Sequence, residues 1–248
     1  PTTTILIPQM LNVMIGMVEA SKEYLNSMKF IAVGGAPISE QILIKAKAIG
    51  LPIFEGYGLS EATSVVTVNG PGLSKIGTVG KPLNHTDIKI ADDGEIFVRG
   101  SIFKGYLKEL SSPLDNDGYL PTGDIGLIDE DGFLTIQGRK KNIFITSFGR
   151  NVSPEWVECE LSAQTGILQA AVFGEGKPWN GAIILSTPGV DIKRAIQQAN
   201  KALPDYAKVS SWILAKEPFS LSNKQLTGTA RLKREAIESY YKKDIKAI

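Results

Sequence analysis

Residues 57–63 read YGLSEAT, setting an aromatic ring, hydroxyls at Ser60 and Thr63 and the carboxylate of Glu61 on one short stretch. A loop with those groups can hold a ligand through a flat apolar face, a hydrogen bond and a charge at once. Further along lie TGD at 122–124, GRKKN at 138–142 and LTGTARLKR at 226–234. Each has a plain reading when taken alone: GYG is a turn, TGD a loop and GRKKN a solvated basic run. One histidine, His85, and one cysteine, Cys159, stand far apart in the chain. They form neither a metal-ligand cluster nor an internal disulfide, and both read as structural. The acidic turns DDG, DNDG and DEDG lack the spacing of a calcium loop, and Asp-Gly is an ordinary hairpin signal.

The elements that must position these groups follow from local pattern. MKFIAVGGAP predicts a buried strand ending in a glycine loop, Ser39 predicts the cap of a helix over EQILIKAKAI that Gly50 closes, and LPIFEGYG predicts a second strand. In such a βαβ unit the loops at 34–37 and 56–61 both leave strand carboxyl ends, where open α/β sheets place their ligands. The N-terminal PTTTILIPQMLNVMIGMVEA reads as a strand and a buried helix. From residue 76 the pattern changes to short alternating strands with Gly and Asp turns, as in TDIKIADDGEIFVRG. Beyond Arg139, Ser153 and Pro154 resemble the cap and first position of a helix. Apolar segments at 168–174, 182–186 and 209–215 then alternate with helical patterns at 191–203 and 232–243. The expected organisation is an α/β layer over 1–75, a β-rich part over 76–140 and a compact α+β domain over 141–248.

With 43% apolar and 21% charged residues the 248-residue chain has the composition of a globular protein. The formal charge of +1 gives no global field toward nucleic acid or an anionic membrane, so any anion must be held locally. No apolar run approaches the roughly 18 to 20 residues of a membrane span and no signal peptide is evident, which points to the cytoplasm.

The order and separation of GGAP, GYGLSE, YLPTGD, GRKKNIFITSFGRNVSP and LTGTARLKR resemble the adenylate-forming superfamily, the long-chain fatty acid type of acyl-CoA synthetase in particular. The resemblance runs along essentially the whole chain. It implies the end of a large domain, a βαβ unit plus a distorted β-barrel, followed by a small mobile α+β domain. It also implies a two-step reaction: a carboxylate attacks the α-phosphorus of ATP to give an acyl-adenylate, and the thiol of CoA then expels AMP.

Under that resemblance Tyr57, between Gly56 and Gly58, would lay its ring on adenine, with Gly34, Gly35, Ala36 and Pro37 walling the other side of the base. Ser60 would donate to the α-phosphate and Glu61 would hold Mg2+; the plainer reading of Glu61 is a solvated carboxylate at a helix start. Asp124 fits a ribose clamp, Arg139 would reach the same ribose or the phosphate, and Lys141 stands at the interdomain hinge. Gly149 falls in the segment expected to line the CoA channel, with Arg150 as a phosphate contact. Relatives often place a catalytic lysine directly after a glycine near the C-terminus, whereas here Thr229 follows Gly228. The role passes to Lys233 or Arg231.

No Ser/Thr/Gly-rich loop followed by Pro-Lys, which in relatives wraps the β- and γ-phosphates, occurs in the chain. The expectation is therefore the C-terminal portion of an adenylating enzyme, weak or inactive alone, whose partner is an N-terminal half or a second chain. Two alternatives stand beside it. The adenylate could pass to a carrier-protein thiol, or the chain could be a non-catalytic module that binds nucleotide or a partner. The C-terminal LKREAIESYYKKDIKAI is basic and partly amphipathic, but a solvated final helix is favoured over peripheral membrane contact.

Overall fold

The computed structural model describes residues 2–21, 27–107 and 112–246. The chain divides into two compact units, Pro1–Lys141 and Asn142–Ile248.

The first unit opens with β1 (Thr3–Leu6), α1 (Pro8–Ser21), β2 (Phe30–Val33), α2 (Glu40–Ala48) and β3 (Ile53–Tyr57). The three strands pair in parallel, Thr3 opposite Phe30 and Ile31 opposite Ile53, as the βαβ pattern requires. Ser39 caps α2 by accepting from Gln41 N–H, and Gly50 at φ 81° follows its C-terminus. Both helices cover one face of the sheet, where Leu6, Leu11, Ile15, Val18, Ile31, Val33 and Ala46 form the core. The opposite face carries Ile5, 81% exposed, and the stacked rings of Phe30 and Phe54. Here α1 departs from the expected buried helix. Leu11, Ile15 and Val18 make one buried stripe, but Met10, Val13 and Met17 at 55–67% exposure make a second with nothing packed on it among the described residues.

Two short strands, β4 (Thr67–Val68) and β5 (Lys81–Pro82), extend this sheet with antiparallel pairing. The layer thus takes its last strand from beyond residue 76, where the alternating pattern begins. Next come β6 (Asp87–Ile90), β7 (Glu95–Arg99), β8 (Leu120–Ile128) and β9 (Leu134–Arg139). They form an antiparallel meander in the order β6-β7-β8-β9, the open half of a barrel. Its core is Ile96, Val98 and Leu134 with Ala62 and Val66 from the loop after β3. The acidic turns bind the backbone and lysines: Asp93, Asp115 and Asp129 each accept main-chain N–H groups. They also meet Lys140, Lys89 and Lys75 respectively, each at 2.6 Å.

The second unit starts with a hairpin of β10 (Phe144–Ile145) and β11 (Asn151–Val152), followed by α3 (Pro154–Ser162), β12 (Ile167–Phe173), β13 (Asn180–Ser186), α4 (Ile192–Ala199), β14 (Val209–Leu214), α5 (Arg234–Tyr240) and α6 (Lys242–Lys246). Pro154 opens α3 as expected, but Ser153 makes no capping hydrogen bond; its hydroxyl faces Glu155 Oε2 at 3.3 Å. The sheet runs β12-β13-β14, the first pair antiparallel and the second parallel through the α4 crossover. Strand alternation sends Ala170, Val172, Ala182 and Ile184 to the face covered by α3 and α4. Ala171 and Ile183 point the other way, to Phe219, Ile237 and Tyr241. The final helical segment is therefore not merely solvated. Ile237 and Tyr241 are completely buried, and Tyr241 Oη accepts from Lys216 N–H.

Candidate functional site

Strand alternation and register build the centre of the site in the first unit. Leu120, Thr122, Asp124 and Gly126 occupy the buried positions of β8, so two polar side chains stand where apolar ones are the rule. Asp124, 7% exposed, lies directly across from Arg139 on β9. Arg139 Nε is 3.0 Å from Asp124 Oδ1, and its guanidinium also donates to Thr122 O at 2.7 Å. Tyr57, at the end of β3, donates its hydroxyl to Asp124 Oδ2 at 2.7 Å. Burial, then the neighbouring Asp124 carboxylate, push the Tyr57 phenol far above its ordinary value, so it remains a donor. Thr122 closes the set: its Oγ1 accepts from Asp124 N–H and donates to Ile96 O.

The loop after β3 is fixed by backbone proximity. A side chain on Gly58 would place its Cβ 1.8 Å from Ser64 O, so that position must be glycine for the loop to fold back. Gly56 pairs with Val68 within the sheet, and a Cβ on Gly34 would lie 2.8 Å from Gly56 O. Gly35, Ala36 and Pro37 are exposed between β2 and α2, and Ser60 is exposed at the start of a short 3-10 turn. Glu61 lies in the first turn of that segment and is partly exposed. Its Oε1 accepts from Tyr106 Oη at 3.0 Å and its main-chain oxygen accepts from Phe103 N–H. Glu55, two residues before Tyr57, is a carboxyl the motifs did not single out. Burial and then the charge of Glu40 push it up to about 8.

The structure brings Tyr57, Asp124 and Arg139 into direct contact, while Glu61 has its own partners. Lys141 is exposed one residue after Lys140, whose ammonium meets Asp93 and Glu95 at 2.6 Å each. Gly149, Arg150, Arg231 and Lys233 belong to the second unit. Gly149, at φ 71°, turns the β10–β11 hairpin with open space beside its Cα, and the Arg150 guanidinium lies 5.9 Å from the Tyr206 ring. Arg231 and Lys233 are exposed on a loop closed by the Leu226–Leu232 bridge, by Thr227 N–H to Arg231 O and by Lys233 N–H to Gln225 O. Beside them Arg234 is half-buried and makes two 2.7 Å bonds to Glu158. Glu158 also accepts from Val172 N–H, and burial raises its pKa to about 7 against the pull of Arg234.

Sequence reasoning missed Thr122, Tyr106, Glu95, Lys140 and the Glu158–Arg234 pair. A polar residue at every second position of a strand was the available signal for Thr122. The others depend on contacts across 28 to 76 residues of chain. Among the described residues no group of three or more His, Cys, Asp and Glu is placed to hold a metal, and no helix is long and apolar enough to cross a membrane.

A family described as AMP-binding enzyme matches residues 1–107, and its companion, AMP-binding enzyme C-terminal domain, matches residues 141–248. The chain belongs to the AMP-binding enzyme family. Among curated relatives, the long-chain-fatty-acid–CoA ligase FadD15 of Mycobacterium bovis is 36% identical over 245 residues, covering 87% of this chain and 41% of the relative. Long-chain-fatty-acid–CoA ligase 5 of Rattus norvegicus is 32% identical over 265 residues, covering 89% of this chain and 39% of the relative. This member of the AMP-binding enzyme family thus spans about two-fifths of the length of those relatives. Among solved structures, o-succinylbenzoate CoA synthetase of Bacillus subtilis with its acyl-adenylate intermediate superposes with a TM-score of 0.80 at 26% identity, over 96% of this chain and 51% of that one. The mixed α/β fold is that of adenylate-forming enzymes.

Proposed function

We propose that the chain forms part of an enzyme that activates a carboxylic acid, a fatty acid in the first place, with ATP and passes the acyl group to CoA. The acid's oxygen attacks the α-phosphorus and releases pyrophosphate; the thiol then attacks the acyl carbonyl and releases AMP. The observation that carries this reading is the buried Asp124 carboxylate held between Tyr57 and Arg139. A carboxylate held in place by a tyrosine and an arginine is suited to accept from the two vicinal hydroxyls of a ribose. Tyr57 would offer its ring face to adenine and Arg139 would face the ribose or a phosphate. The exposed Gly35–Pro37 stretch would border the base and Ser60 would donate to the α-phosphate.

Magnesium is the metal the family implies. Glu61 would supply one hard oxygen donor to an ion that keeps phosphate and water as the rest of its shell. When bound, the ion would neutralise phosphate charge. In the second unit, Lys233 or Arg231 would meet charge developing on the α-phosphate, Lys141 would serve as the hinge, and Gly149 with Arg150 would border the CoA path.

Support for the fatty acid comes from the relatives named long-chain-fatty-acid–CoA ligases; support for the nucleotide comes from the B. subtilis synthetase solved with ATP and magnesium. The outer stripe of α1 and the uncovered face of β1–β3 are where a further segment or a second chain would pack. The test is pyrophosphate exchange into ATP by the chain joined to the N-terminal half of a relative, with palmitate as substrate. Exchange that depends on the fatty acid is expected; no exchange with any fatty acid overturns the reading.

A further inference from the structure

The clamp strands β8 and β9 are tied together by a side chain that no motif contains. Glu95 on β7 is only 8% exposed, and its two oxygens serve two different segments. Oε1 accepts from Gly123 N–H at 3.0 Å, immediately before Asp124. Oε2 meets the Lys140 ammonium at 2.6 Å, immediately after Arg139. Lys140 N–H in turn donates to Gly123 O at 2.9 Å, so both main-chain polar groups of Gly123 are occupied. Gly123 itself sits at φ 71°, a conformation that strand geometry alone would not hold. The pairing of β8 with β9 shifts register between Ile125 and Gly126, just past Asp124, so regular ladder bonds do not continue through this point.

We propose that Glu95 is a positioning residue for the ribose clamp: it pins the residue before Asp124 and the residue after Arg139, and so sets the spacing of the two side chains. This rests on the reading of Asp124 and Arg139 as ribose contacts. The neighbouring Asp93, 54% exposed at its side chain, adds a second but solvated contact to the Lys140 ammonium. The anchor also fixes Lys140 within the first unit, leaving Lys141 as the first residue outside the clamp.

The test is calorimetric titration of the 248-residue chain with AMP and with 2′,3′-dideoxy-AMP, which lacks the hydroxyls that Asp124 would accept. The unaltered chain should prefer AMP by about tenfold or more, the worth of a charge-assisted hydrogen bond. Glu95→Gln keeps the shape but turns an amide toward Lys140, and should shrink that preference to about threefold or less. Lys140→Gln should do the same from the exposed side, which keeps the test available should Glu95→Gln fail to fold. Lys140→Arg should retain the preference, and Asp93→Asn should leave it intact. Equal weakening toward both ligands marks Glu95 as merely structural and overturns the proposal, as does an unchanged preference. An unaltered chain that binds both ligands alike removes the ribose reading instead.

Discussion

Among the described residues, Glu158 and Asp124 are buried carboxylates that each meet an arginine, and the two contacts differ in geometry. Glu158 and Arg234 face each other through two parallel 2.7 Å bonds, and Val172 N–H takes further capacity from the carboxylate. Asp124 meets Arg139 Nε through Oδ1 and accepts from the Tyr57 hydroxyl at Oδ2. The first pair is closed and joins α3 to the start of α5. The second sits where β3, β8 and β9 converge. A third carboxyl, Glu55, has the like charge of Glu40 as its neighbour and shows what burial does without a cation. Residue type is shared across these sites; the groups that hold each carboxyl are not.

Breaking the closed pair should have the largest effect. Arg234→Met strands a buried carboxylate and should destabilise the second unit by about 3–5 kcal/mol. Trp156, Trp179 and Trp212, all in that unit, report it by fluorescence in denaturant. Adding Glu158→Leu should restore much of the loss; failure to do so would mean the pair contributes more than mutual compensation.

Glu55→Gln should act next and only above the ordinary carboxyl range. With its folded pKa near 8 and its usual value at 4.5, the folded state keeps a proton that the unfolded chain releases between those pH values. Wild-type stability is thus diminished as pH rises across that window. Relative to wild type, the variant should gain about 2–4 kcal/mol between pH 4.5 and 8. Parallel melting curves at the two ends would contradict it.

Asp124→Asn sharpens the contrast from the other side. Arg139, with its side chain one-third exposed, can turn to water, so stability should change by less than about 1 kcal/mol. AMP affinity should nevertheless fall by roughly 1.5–3 kcal/mol, about ten- to hundredfold by titration. A large stability loss with unchanged affinity would place Asp124 beside Glu158 as scaffold. The smallest effect belongs to Tyr57→Phe, which keeps the ring and removes one hydrogen bond. It should weaken AMP by about 0.5–1.5 kcal/mol, less than Tyr57→Ala does in the same titration.

Where the chain states its structure locally, it could be read. Ser39 before an amphipathic run announced a capped helix, and the apolar runs near 168, 182 and 209 announced β12, β13 and β14. The outer stripe of α1 was misjudged because Met10, Val13 and Met17 look like core residues, and composition does not say whether a partner covers them. The hydrogen bond from Tyr57 to Asp124 joins residues 67 apart, and it follows from where β3 ends and how β8 registers with β9. Motif order placed Tyr57, Asp124 and Arg139 in view; only the register bulges and the polar inward positions of β8 explain why they touch. Glu95 carried no motif and Lys140 only its place in the basic run GRKKN, since their meaning lies in which distant groups they reach.

The three-stranded sheet of the second unit is wrapped on both faces by helices drawn from its own stretch of chain. Such a body keeps its interior dry without borrowing a residue from the first unit.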